Sequence, residues 1–142
     1  MIVSTKGRYA LRVMVALAQR GGEDYLPIKE VAEQEEISLK YLESIMTILS
    51  KGGLVDALHG KGGGYRLKKT PQDIRVGDVL RLTEGDLAPV ACLIPGADPC
   101  NFAHECRTLE MWKEYFRLTN TFFDGITIAD LMKTSYDSDY II

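Results

Sequence analysis

Residues 27–69 read PIKEVAEQEEISLKYLESIMTILSKGGLVDALHGKGGGYRLKK, and this stretch decides the fold. Pro27 suits the first turn of a short helix that buries Ile28, Val31 and Ala32. Glu35-Glu36 makes a polar break, Ile37 follows, and Ser38 is placed to N-cap the next helix. That helix is expected to turn Leu39, Leu42, Met46 and Leu49 inward and to end at Gly52-Gly53. Two short helices joined by a tight turn make a helix-turn-helix. The outward face of the second presents Lys40, Tyr41, Glu43, Ser44, Thr47 and Lys51. Such side chains donate or accept hydrogen bonds, as reading of base edges requires. Two strands follow, residues 54–58 and 65–69, joined by the glycine-rich loop 59–64, a hairpin wing. Lys61 stands at its tip, and Arg66, Lys68 and Lys69 add phosphate-seeking charge. A helix-turn-helix with a basic wing is a winged helix.

Upstream, residues 6–20 carry Ala10, Val13, Met14, Leu17 and Ala18 on one stripe, the pattern of an amphipathic helix closed by Gly21-Gly22. Downstream, Val76, Val79 and Leu80 mark a helix over 75–82, followed by a long turn-rich loop. A long helix over 106–124 bears Leu109, Met111, Trp112, Tyr115, Phe116, Leu118, Phe122 and Phe123 on more than one stripe. One stripe packs on its own domain and another on a partner helix, which predicts a homodimer. A short helix over 126–132 closes the fold. The expectation is a mostly α protein with a small β-hairpin wing, a winged helix-turn-helix plus a long dimerisation helix. Its parts are a DNA-binding region 1–82, a cysteine-bearing loop 83–106, helices over 107–134 and a flexible tail 135–142.

At 142 residues the chain is one domain by length, and 46% hydrophobic with 26% charged residues excludes a disordered or fibrous chain. The net charge of −3 hides an asymmetry. Residues 1–75 hold 12 Lys/Arg against 9 Asp/Glu, while 76–142 hold 5 against 11. Any basic surface for nucleic acid therefore lies in the first half. The longest early apolar run, residues 13–18, is too short for a signal or a membrane span, so the chain reads as cytoplasmic with no membrane partner. No nucleophile–base pair or nucleotide fingerprint is present, and residues 60–64 lack the GxGxxG spacing, so an enzyme is not expected.

Cys92, Cys100 and Cys106 are the only cysteines, with seven and then five residues between them. An odd count argues against a disulfide framework. The spacing is not that of a zinc ribbon. Soft thiolates in a loop with Pro95, Gly96 and Pro99 suit an iron–sulfur cluster, one ligand short of four. Spacing alone leaves open three unrelated thiols or a redox pair with a spectator.

Ser4–Ala10 (STKGRYA), Ile37–Glu43 (ISLKYLE), GLV at 53–55, GKGGGY at 60–65, VGDV at 76–79 and the cysteine triplet followed by Trp112 occur in order along the chain. In these stretches the sequence resembles the iron–sulfur cluster regulator (IscR) family of winged-helix transcription factors. The resemblance implies a homodimer whose long helices cross, a cluster held by Cys92, Cys100 and Cys106, and DNA binding governed by cluster occupancy or redox state. Its implied target is a double-stranded operator with two half-sites at cluster-assembly genes, usually repressed. It also links the acidic position Glu43 to cluster-dependent selectivity. Among the other candidate DNA contacts, Ser38, Lys40 and Tyr41 lie at the start of the recognition helix. Ser44 and Thr47 reach for base edges, and Lys61, flanked by His59, for phosphate or the minor groove.

One departure is informative. Members with a three-cysteine, one-histidine 2Fe–2S site place histidine where this chain has Leu109, which has no ligating atom. The fourth ligand must come from His104, Glu105, Glu110, a partner chain or an exogenous thiol or solvent, with His104 the nearby imidazole. Relatives with a 4Fe–4S site use an acidic residue on the first helix, where this chain offers Lys6, Arg8 and Arg12, so 2Fe–2S is favoured over 4Fe–4S. The rival reading is a winged-helix repressor without a cluster, controlled by thiol oxidation or a partner protein.

Overall fold

Ser4 opens the first helix by accepting a hydrogen bond from the Gly7 N–H at 3.1 Å, satisfying one of the donors a helix N-terminus leaves free. In the computed structural model, which describes residues 2–133, α1 spans Thr5–Ala16 and continues as a wider π-helical segment, Leu17–Gly21. Gly22 then turns the chain with φ 55°. α2 is Ile28–Glu35 and α3 is Leu39–Lys51, capped by Ser38, whose hydroxyl accepts from the Tyr41 N–H. Strands β1, Val55–Leu58, and β2, Gly64–Leu67, pair antiparallel with Val55 opposite Leu67. α4 is Val76–Glu84, α5 is Leu109–Asp124 and α6 is Ile128–Met132. The mostly α architecture with a two-stranded wing is as expected from sequence. The proposed tail 135–142 lies outside the described residues.

The core is built around α1. Val13, Met14 and Leu17 are fully buried against Leu42, Ile45, Met46 and Leu49 of α3, with Val31, Ile74 and Ile128 in the same cluster. Leu39, expected to point inward, is instead exposed. Side chains on a helix lean toward its N-terminus, so one in the first turn of α3 reaches past the α2–α3 contact. Ile45 takes the inward place that the sequence reading did not assign.

Two further features were not visible in the sequence. Leu26 pairs with Tyr65 beyond the hairpin, adding a bridge to the outer strand of the wing. Gly64 passes so close to the Leu26 carbonyl and Pro27 nitrogen that a β-carbon there would collide with them. Ile128 of α6 returns to the α1 core, and an isolated bridge between Arg75 and Thr127 fastens that return.

α5 starts at Leu109, three residues later than the sequence reading. Its two stripes separate cleanly. Phe116 and Phe123 are half-buried against Val76, Leu80 and Leu87, whereas Met111, Tyr115, Leu118 and Phe122 are exposed.

Candidate nucleic-acid interface and thiol loop

α3 and the wing enclose a cleft of about 440 Å³. Glu43 and Thr47 line it from the helix, His59 and Tyr65 from the wing, and Lys29 from α2. Three predicted site residues are thus brought together, and Lys29 is a cation the sequence reading missed. No local signal marks it, since it lies in the first turn of α2 and only the fold brings that turn to the cleft.

The remaining DNA candidates distribute around that cleft. Lys40 and Ser44 are exposed on α3. The Ser44 hydroxyl donates to the Tyr41 carbonyl at 2.6 Å and the Thr47 hydroxyl to the Glu43 carbonyl at 3.0 Å, so both are pre-oriented yet keep lone pairs free. Ser38 is engaged in capping. Tyr41 is half-buried and meets the Tyr9 ring edge to face. Among the described residues the Glu43 carboxylate has no ion-pair or hydrogen-bond partner, neither Lys40 nor Thr47 along its own helix engaging it. His59 and Lys61 are exposed, and Lys61 stands in the turn at the wing tip.

Arg66 departs from its expected role as a phosphate-seeking cation. Its guanidinium lies 4.4 Å from the centroid of the Tyr25 ring, donates to the Glu23 carbonyl at 3.1 Å and sits 4.0 Å from Asp56. These contacts turn it inward, against the back of the wing.

Cys92, Cys100 and Cys106 are free and exposed. Cys92 sits in a single 3-10 turn, Ala91–Leu93, and Cys106 two residues before the Thr108 cap of α5. The Thr108 hydroxyl lies 3.5 Å from the Cys106 sulfur. That contact, with the Thr108 and Leu109 backbone N–H groups, pulls the Cys106 thiol below its usual pKa, because each stabilises the thiolate. His104 is mostly exposed, with Nε2 3.7 Å from Glu105 Oε1.

Among the described residues no three His, Cys, Asp or Glu side chains gather closely enough to hold a metal ion. By chemistry the donor set fits a thiolate-bound iron–sulfur group: three unpaired thiols, one of them acidified, on one glycine- and proline-bearing loop. By position the loop holds them apart. Among the described residues no helix is long and apolar enough to cross a membrane.

Comparison with known proteins gives a consistent picture. A family model described as Rrf2, iron-dependent transcriptional regulator, matches residues 3–134. The HTH-type transcriptional regulator IscR of Aliivibrio salmonicida is 35% identical over 132 residues, covering 93% of this chain and 77% of that protein. Its counterpart in Serratia proteamaculans is 33% identical, covering 93% and 79%. Among solved structures, CymR (YrzC), the global cysteine regulator of B. subtilis, superposes with a TM-score of 0.76 at 32% identity, covering 95% of this chain and 98% of that one. The IscR of T. potens superposes with a TM-score of 0.72 at 31% identity, covering 99% and 97%.

Proposed function

The chain belongs to the Rrf2 family of transcriptional regulators, and from that premise we propose that it is a homodimeric, cytoplasmic repressor reporting iron–sulfur cluster status to cluster-assembly genes. Its relatives are DNA-binding regulators, not enzymes. The observation that carries the DNA reading is the cleft in which the unpaired Glu43 carboxylate and Thr47 face the wing residues His59 and Tyr65, with Lys29 beside them. In this reading Ser38, Lys40, Tyr41, Glu43, Ser44 and Thr47 address an operator half-site through the major groove, while His59 and Lys61 hold the flanking backbone.

Cys92, Cys100 and Cys106 would hold the cluster, with His104 the candidate fourth ligand and 2Fe–2S favoured. When bound, such a group supplies a redox couple and a sensitivity to oxidants and iron supply. The chain's own contribution is connectivity. The loop over 83–106 runs into α5, α5 is fastened to α4, and α4 packs against α1 and α3. A loop state that favours one setting of α5 biases the spacing of two recognition helices, by no more than its differential stabilisation of the two settings. The division into a DNA-binding region 1–82, a sensor loop 83–106 and dimerisation helices over 107–134 follows from this reading.

The likeness to CymR, named as a cysteine regulator, favours a second reading. In it the same winged helix is governed by thiol oxidation or a partner protein, without a cluster. One experiment separates the two. Anaerobically purified protein should show visible absorption with bound iron and sulfide, both lost in Cys92→Ala. A colourless, iron-free protein after reconstitution rejects the cluster and leaves the thiol reading.

A further inference from the structure

The turn between α2 and α3 is held by a cluster that the DNA-facing surface does not account for. Arg12 of α1 reaches Glu35, the last residue of α2, twice. It donates to the Glu35 carbonyl oxygen, and its guanidinium lies 3.1 Å from the carboxylate. Arg20 meets the other carboxylate oxygen at 3.3 Å. Arg12 also stacks over the Tyr9 ring, 5.2 Å from its centroid. Tyr9 in turn meets Tyr41, in the first turns of α3, edge to face at 5.9 Å. One chain of contacts therefore runs from the end of α2, through Arg12 and Tyr9 of α1, to the start of the recognition helix.

The π-helical segment explains how two arginines share one carboxylate. On a regular α-helix, side chains at positions 12 and 20 stand about 80° apart around the axis. Residues Leu17–Gly21 turn less per residue in the wider π geometry and rotate Arg20 back toward Arg12. The clamp also abuts Glu36, which takes φ 55°, the one positive value at a non-glycine residue among those described. A side chain is disfavoured there, and the backbone bond from the Ile37 N–H to the Ala32 carbonyl at 3.0 Å closes the turn beside the clamp.

We propose that Tyr9, Arg12 and Arg20 are positioning residues for DNA recognition, setting through Glu35 and Tyr41 the angle at which α3 meets base edges. The proposal rests on the reading of α3 as the recognition helix. Base-edge hydrogen bonds tolerate little displacement, whereas contacts between flexible cations and phosphate tolerate more. Loss of the clamp therefore erodes discrimination while leaving the electrostatic part of binding in place.

The test uses the full chain. Wild-type protein first enriches a duplex from a randomised pool, and no enrichment overturns both the DNA reading and this proposal. With that duplex, affinities for it and for a shuffled sequence are measured across salt concentrations. Tyr9→Leu and Arg12→Gln are expected to lower the ratio of the two affinities by about tenfold with an unchanged salt slope. Tyr9→Phe, which keeps the ring, is expected to hold the ratio within about twofold of wild type. Arg20→Gln, at a partly exposed site, provides a variant that keeps its fold if Tyr9→Leu does not, and it too should lower the ratio. An unchanged ratio in the folded variants overturns the positioning role while leaving the DNA reading intact. So does equal weakening on both DNAs, or a reduced salt slope, which would make Arg12 a phosphate contact.

Discussion

Arg81 of α4 grips Asp124 at the end of α5 through two hydrogen bonds of 2.8 Å, and a third donor reaches Asn120 at the same distance. The Asp124 carboxylate raises the Arg81 pKa further above its already high value, so this fork stays charged at any working pH. It explains Gly77, where a β-carbon would strike the Asp124 carboxylate. Phe116 and Phe123 add apolar packing beside it. The fork and Phe123 lie in the C-terminal half of α5 and Phe116 at its middle, so the first turns, next to Cys106, are the freer end.

Arg81→Ala should therefore cost little in stability, because the pair is partly exposed and worth about 1 kcal/mol. A fall of about 4 °C in melting temperature is expected. The larger effect should be on coupling, with DNA affinity losing its dependence on cysteine state. Retained dependence in a folded Arg81→Ala protein would show that the joint is not the route.

Lys61 and Arg66 lie in one wing yet should behave as opposites. Lys61 is exposed at the tip, so Lys61→Ala should weaken binding to every sequence and lower the salt slope by about one per protomer, with the fold undisturbed. Arg66 is engaged by Tyr25, Glu23 and Asp56, so Arg66→Ala should lower the melting temperature and leave the slope alone. Salt titrations and thermal melts on the two variants check the contrast. Equal slope changes would mean that Arg66 swings out to meet phosphate.

That contrast marks how far the sequence could be read. The helix-turn-helix, the wing and α5 declared themselves through periodicity, a Ser38 cap and glycine pairs, all local signals. Arg66 did not, because its partners are about forty residues upstream in Glu23 and Tyr25, or across the strand in Asp56. The same holds for Ser4, whose N–H and hydroxyl both donate to Glu84 at the far end of α4. Leu39 matched the apolar period and still missed the core, since period fixes a face but not how far along the helix that face is covered. Lys29 was passed over for a related reason, as only the folded chain puts it beside Glu43.

Cys106 should show an alkylation rate whose pH midpoint lies below that of an ordinary thiol. Its pKa is lowered by the Thr108 hydroxyl and by backbone N–H groups, so the reactive thiolate persists at lower pH. Thr108→Val removes the largest of these contributions and should move the midpoint to higher pH, slowing alkylation at neutrality. Mass-spectrometric labelling resolved by residue provides the measurement. An unmoved midpoint would leave the acidity to the N–H groups alone.

Met111, Tyr115, Leu118 and Phe122 recur at intervals of four, three and four along α5, and all four are exposed. That 3-4 spacing is the seam of paired helices, in which each side chain enters a hole on the facing helix. Four large apolar side chains in one row on water are unfavourable for a lone chain, at about 25 cal/mol for each Å² that a partner would cover. Leu118→Glu puts a carboxylate in the middle of the row without touching Phe116 or Phe123, which pack inward. Sedimentation is expected to show a dimer for the wild type and a monomer for the variant, with secondary structure retained. Affinity for a two-half-site operator should fall to that for a single half-site, since the tether between the two recognition helices is gone. A Leu118→Glu protein that stays dimeric would place the interface elsewhere and leave this row for another partner.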